Sequence, residues 1–228
     1  MNHLSRFMRN QYMTKLNSKL QYVSDLHLEK GFKRVVKAEK PYLLLGGDIG
    51  HVNDNYKDFL HDVSNSFEKV FLISGNHEYD NSPNMQTVDE KIQNICESRN
   101  NLFFLQKKTH KIDEKLHITG CTFWATLPAS KYEYHIDHQK WLMNTLKDNP
   151  NKLYIVATHH APLFECLNSI KNRVSNYFAT DQSNIIRNKN LLCWIHGHTH
   201  INKEFEFQNR WILTNQYGSF EKPGYRYK

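Results

Sequence analysis

Residues 191–200 read LLCWIHGHTH, an apolar run (Leu191–Ile195) that stops abruptly at His196, Gly197, His198, Thr199 and His200. A run this short, apolar throughout and ended by polar residues, reads as a buried strand with a polar carboxyl end. Four other runs repeat the pattern. Leu20–Val23 leads to Asp25 and His27, and Tyr42–Leu45 leads through Gly46 and Gly47 to Asp48. Val70–Ile73 leads through Gly75 to Asn76, His77 and Glu78, and Leu153–Ala157 leads to His159 and His160. Ligands of α/β sheets bind beyond the carboxyl ends of the strands, so groups scattered along the chain can converge there.

Between these runs lie helical patterns. Tyr56–Phe67 spaces Phe59, Leu60, Val63 and Phe67 at helical intervals, and His138–Lys147 places Trp141, Leu142 and Leu146 on one face before Asn149 and Pro150. Ser82 and Pro83 offer an N-cap and a first-turn proline for a helix reaching Ser98. Leu102–Leu105, Leu116–Phe123, Lys203–Phe207 and Trp211–Thr214 read as further strands. The expectation is an α/β sandwich with parallel and antiparallel pairings, a single domain over residues 19–228, preceded by a basic, flexible tail at 1–18.

Composition narrows the classes. Apolar residues at 39% and aromatics at 13% supply a core and exclude wholesale disorder. No apolar run approaches the ~18–20 residues of a membrane span. The net charge of +7 is uneven. Four of the seven charges sit in residues 1–19 (Arg6, Arg9, Lys15 and Lys19, with no acid). Two more sit in 221–228, where Lys222, Arg226 and Lys228 face Glu221 alone. The body is nearly neutral, which argues against a broad nucleic-acid face. Cys96, Cys121, Cys166 and Cys193 form no C-x-x-C pair and read as buried thiols of a reducing compartment. With no apolar signal segment, the expectation is cytoplasmic; the acid-free basic start leaves an organelle presequence as the alternative.

Asp25, His27, Asp48, Asn76, His159, His198 and His200 supply two carboxylates, one amide oxygen and four imidazoles. Seven donors exceed a structural zinc site, and two cations sharing a carboxylate fit better. Two aspartates offset only half the charge of two divalent ions, so the remainder suits an anionic phosphate ester. Mixed nitrogen and oxygen donors admit manganese, iron, zinc or nickel.

The segments SDLH (24–27), GGD (46–48), GNHE (75–78), THHAP (158–162) and GHTH (197–200), in this order, resemble the calcineurin-like metallophosphoesterase superfamily. The stretch from WIHGHTH (194–200) to Asn215 and Gly218 is similar to small stand-alone bacterial and viral members. The resemblance implies a four-layer α-β-β-α sandwich with two mixed sheets. It implies one metal at Asp25, His27, Asp48 and His200, and another at Asp48, Asn76, His159 and His198, with Asp48 bridging. It further implies a metal-bridging hydroxide as nucleophile and His77 as general acid, acting on a phosphate mono- or diester; the near-neutral body and short chain suit a small one.

Some positions stay open on residues alone. Extended geometry puts His196, His198 and His200 on one side, and only the family pattern selects the latter two. His159 is favoured over His160, which reads as pocket wall or as a structural residue. Glu78 reads as a turn carboxylate that orients a neighbour, Tyr79 and Trp124 as core aromatics with a pocket role as the rival, and Arg173 as a solvated side chain rather than a phosphate clamp. His3, His51, His61, His110, His117, His135 and His138 have no constellation around them. The serine/threonine phosphatase pattern G-D-x-x-D-R-G is broken, because Gly47-Asp48 is followed by Ile49, Gly50, His51 and Val52. The alternative function is a catalytically weak or inactive metal-binding scaffold of the same fold.

Overall fold

Strands that are apolar on both faces need cover on both faces, and here two sheets stack between helices. The computed structural model describes residues 5–31, 35–82, 84–149, 151–168 and 173–218. In chain order the elements are α1 (Arg6–Lys19), β1 (Leu20–Val23), β2 (Tyr42–Gly46), α2 (Asp54–Ser66), β3 (Lys69–Ile73), α3 (Met85–Glu97), β4 (Leu102–Phe104) and β5 (Lys108–Lys111). They continue with β6 (Leu116–Cys121), α4 (Tyr132–Asp148), β7 (Leu153–Thr158), α5 (Ser183–Ile186), β8 (Leu191–His196), β9 (Phe205–Phe207) and β10 (Arg210–Thr214).

One sheet has the order β1-β2-β3-β4 and the other β5-β6-β7-β8-β10-β9. The alternation along each strand sorts its side chains into layers. Leu44, Phe71 and Ile73 join Ile118, Ile155 and Ile195 in a core between the sheets. Leu43, Leu45, Val70 and Leu72 face Leu60 and Val63 of α2 and Val88 and Ile92 of α3. Tyr154, Val156, Trp194 and Ile212 face Leu142 and Leu146 of α4 and Ile186 of α5. The four-layer α-β-β-α class is thereby present. One detail differs: the six-stranded sheet is mixed, with antiparallel β5 and β9 at its edges, but the four-stranded sheet is parallel throughout. Its strands are joined by crossovers, α2 and α3 among them, and a crossover returns the chain in the same direction.

Three local expectations are corrected. Residues 6–18 are not a tail, because they form most of α1, capped by Ser5 accepting from the Met8 N–H. Its buried stripe is Arg9, Met13 and Leu16, a helical spacing that a charged residue disguises in the sequence. The Arg9 guanidinium donates to the carbonyls of Leu191 at 2.7 Å and Lys189 at 2.6 Å, clamping α1 to the start of β8. Helix α3 is capped by Asn84, which accepts from Gln86 and Thr87 N–H groups, rather than by Ser82; Pro83 and Pro150 lie outside the described residues. Helix α4 starts at Tyr132 rather than His138. Among the described residues, no helix is long and apolar enough to cross a membrane.

Arg9→Ala is expected to destabilise the protein by about 2–4 kcal/mol, since two hydrogen bonds to a charged donor are lost. A thermal melt checks it; an unchanged midpoint would restore the view of residues 1–18 as a dispensable tail.

Candidate metal centre

The ends of β1, β2, β3, β7 and β8 meet because parallel strands bring their carboxyl ends to a common edge. Backbone bonds stitch those ends together. Asp25 N–H donates to the Gly47 carbonyl at 3.0 Å, His27 N–H to the Asp48 carbonyl at 3.0 Å, and Gly197 N–H to the His159 carbonyl at 2.9 Å. Asp25, His27, Asp48, His198 and His200 all hold positive φ, between 51° and 68°. Each such non-glycine residue costs about 1–2 kcal/mol and persists only where surrounding contacts impose it. The reversal also sets the three histidines apart. His198 and His200 lie beyond β8, where strand alternation no longer applies. His196, the last residue of β8, is buried and its Nδ1 contacts the Gly197 carbonyl at 3.0 Å.

The seven expected ligands fall into two neighbouring groups. Donor atoms of Asp25, His27 and His200 lie within 4.8 Å of one another, as do those of Asp48, His159 and His198. In the first group the Nε2 atoms of His27 and His200 face each other at 3.2 Å, and His200 Nε2 is 3.3 Å from Asp25 Oδ1. In the second, His159 Nε2 is 3.2 Å from both Asp48 Oδ2 and Asn76 Oδ1. Asp48 stands in the second group, its carbonyl holding His27 of the first.

The donor chemistry fits divalent cations. Asp25 and Asp48 are essentially inaccessible to solvent, yet among the described residues no lysine or arginine pairs with either, only histidines. Burial alone would raise both carboxylates; contact with His159 holds Asp48 well below the usual range, and the His200 hydrogen bond with His159 nearby lowers Asp25. His159 is buried, which disfavours its charge, but Asp48 and then Asp25 push it up to about 9. Proton and cation thus compete for the same Nε2, the expected signature of a site whose binding releases protons.

Surrounding groups aim these donors. His159 Nδ1 meets the Gly46 carbonyl at 2.9 Å, leaving Nε2 for the centre. Glu78 is the turn carboxylate anticipated: it accepts from the N–H groups of Asp48 (3.0 Å), Ile49 (2.8 Å) and Gly75 (2.7 Å). Burial, with Asp48 close by, pushes Glu78 up to about 8. A Cβ at Gly75 would strike the Asp48 carboxylate and lie 2.7 Å from His159 Cε1, so no larger residue fits. Glu78→Gln replaces one acceptor oxygen by a donor facing N–H groups, and is expected to cost about 1–3 kcal/mol. Its melting temperature should fall together with its cation affinity; affinity unchanged at wild-type stability would contradict the role.

His77 lies beside both groups. Its N–H donates to Asp48 Oδ1 at 2.9 Å, its ring meets His27 edge-on at 4.6 Å, and its Nδ1 is 2.9 Å from Asp80 Oδ2. His160 is buried, packs 4.1 Å from the His198 ring and lines an adjoining cavity. Tyr79 and Trp124 are both buried and cavity-lining, so the two readings of them coincide. Arg173 opens the turn Arg173–Tyr177, and its side chain lies outside the described residues.

Four supporting residues were not read from sequence, and for one of them, His51, the structure corrects the expectation that it has no constellation around it. Glu29 Oε1 sits 2.8 Å from His27 Nδ1, and the D-x-H-x-E spacing was its available signal. Asp80, one turn after His77, and His51, 3.9 Å from Asp80, form a further cluster with His77. Gln216 accepts from the His200 N–H at 2.6 Å and donates to Thr199 and Thr214 hydroxyls, holding the GHTH turn from across the chain.

Comparison with known proteins bears on the fold and the family. Uncharacterized protein L509 of Acanthamoeba polyphaga mimivirus is 30% identical, covering 87% of this chain and 90% of its own. The phosphopantetheinyl hydrolase PptH of Mycobacterium tuberculosis superposes with a TM-score of 0.69 at 15% identity, over 88% of this chain and 89% of that one. GAP50, the anchor in the inner membrane complex of Plasmodium, does so with 0.52 at 13% identity, over 86% and 70%. The model of the calcineurin-like phosphoesterases matches residues 21–202, from the middle of β1 to just past the GHTH turn, and the chain belongs to that family.

Proposed function

We propose that the protein hydrolyses a small phosphate ester with two divalent cations. Asp25, His27, Asp48 and His200 would hold one, and Asp48, Asn76, His159 and His198 the other. The observation that carries this reading is the pair of buried carboxylates whose ion-pair partners, among the described residues, are imidazoles alone. Cations bound there supply Lewis acidity that acidifies water and offsets the charge of a phosphate ester. His77 delivers the proton to the departing oxygen: Asp80 holds Nδ1, so Nε2, 3.9 Å from Asp48 Oδ2, is free to face the reacting ester. Asp80 thus supplies the carboxylate that the broken G-D-x-x-D-R-G pattern lacks.

A small substrate suits the near-neutral body, and more so because Arg9 is buried and unavailable to a polyanion. The four cysteines are free and buried, in keeping with a cytoplasmic, reducing setting. Manganese, iron, zinc and nickel all match the donors.

The test is hydrolysis of p-nitrophenyl phosphate and its bis-ester after manganese loading, with bound ions counted by elemental analysis. Preference for one ester distinguishes monoesterase from diesterase. Two ions per chain without turnover of either ester would favour a scaffold, since fold alone does not imply catalysis.

A further inference from the structure

The cavity that opens beside the metal centre is polar at one end and apolar beyond it. Asn76 and His198 form the inner wall; Trp124, Leu127, Tyr177 and Phe178 form much of the rest, around about 460 Å³. That is the size of a small-molecule pocket, and a phosphoryl group alone fills a minor part of it. The remaining space is left for whatever is esterified to the phosphorus.

The walls are flat and fixed. The Trp124 ring lies 5.8 Å from Tyr79 and 5.3 Å from His160, and Phe178 lies 5.3 Å from His198. Two α4 histidines without a part in the metal centre lock this wall: His135 Nδ1 is 2.6 Å from the Trp124 carbonyl, and His138 Nδ1 accepts from the Phe123 N–H at 3.1 Å. At the rim, Val174 is 59% and Tyr177 44% exposed, so apolar surface continues outward. Two charged side chains interrupt it: Asp80, whose carboxylate is turned to His77, and Lys131. Lys131 Nζ sits 4.7 Å over the Trp124 ring and donates only to Met85 Sδ, a weak acceptor, with no carboxylate in ion-pair range among the described residues.

Building on the phosphoesterase reading, we propose that this cavity receives the leaving group of the substrate, and that this group joins a flat aromatic body to a second negative charge met by Lys131. The aromatic part packs against Phe178 and Tyr177, with the buried Trp124 closing the wall, and the distal anion replaces the thioether as partner of the ammonium.

Three primary-alcohol esters of similar leaving-group basicity separate these contributions: ethyl, phenethyl and para-carboxyphenethyl phosphate, each offered as monoester and as methyl diester to manganese-loaded protein. The value of kcat/KM is expected to rise about tenfold from ethyl to phenethyl through ring burial and about fivefold more with the carboxylate. In Lys131→Met the carboxylate advantage should vanish, while in Phe178→Ala the phenethyl-to-ethyl ratio should shrink by about threefold or more. Equal kcat/KM for ethyl and phenethyl esters overturns the aromatic subsite. A carboxylate advantage that survives Lys131→Met overturns the assignment of the charge. Loaded protein that leaves all these esters and p-nitrophenyl phosphate intact overturns the phosphoesterase reading itself, and the subsite with it.

Discussion

Asp48→Ala is expected to abolish phosphoester hydrolysis, to about a thousandth of wild-type turnover or less, and to lower cation occupancy in both groups. The carboxylate is buried, contacts His159 through Oδ2 and holds the His77 N–H through Oδ1. Its removal therefore leaves His159 without the charge that raises it to about 9 and frees the backbone of the proposed proton donor. Asp48→Asn separates charge from shape, because the amide oxygen still accepts from His77 while the negative charge is gone. Elemental analysis distinguishes the outcomes: two ions per chain retained in both variants would contradict a shared ligand.

His77→Ala should do the reverse. The side chain is 30% exposed and belongs to neither expected ligand set, so both ions should remain. Turnover should fall by about 10²–10⁴ for alkyl esters, where the departing alkoxide needs a proton. For p-nitrophenyl phosphate the loss should be much smaller, since that leaving group departs as a stable anion. Asp80→Asn should give a weaker copy of the same pattern through loss of the negative charge at Nδ1. A uniform loss across leaving groups would speak against His77 as proton donor.

Much of the fold was legible because its signals are local. A strand covered on both faces must be apolar at consecutive positions, and β1, β2, β3, β7 and β8 each announce themselves that way. Helix α1 was hidden for the complementary reason. Its buried stripe includes an arginine, whose burial makes sense only once the carbonyls of Lys189 and Leu191 stand opposite. Strand β5, with the sequence KTHK, carries no apolar pattern; it exists because β6 offers it an edge. The apolar cavity was legible only in part: Tyr79 and Trp124 carried a pocket role as the rival to core packing, but Phe178, far along the chain, gave no signal of its own.

The sequence by itself determined which strands end in side chains able to ligate a cation, and therefore that a polar centre forms at one edge of the sheets. Parallel strands carry their carboxyl ends to the same side, so order along the chain is enough. Tertiary structure alone decided how those side chains turn. Asp25, His27, Asp48, His198 and His200 adopt positive φ, which none prefers in isolation; their N–H groups donate, in that order, to Gly47, Asp48, Glu78, Asp25 and Gln216, and these bonds hold the turns. Such a conformation opposes local preference, so it can be stable only when distant parts of the chain supply the compensating contacts.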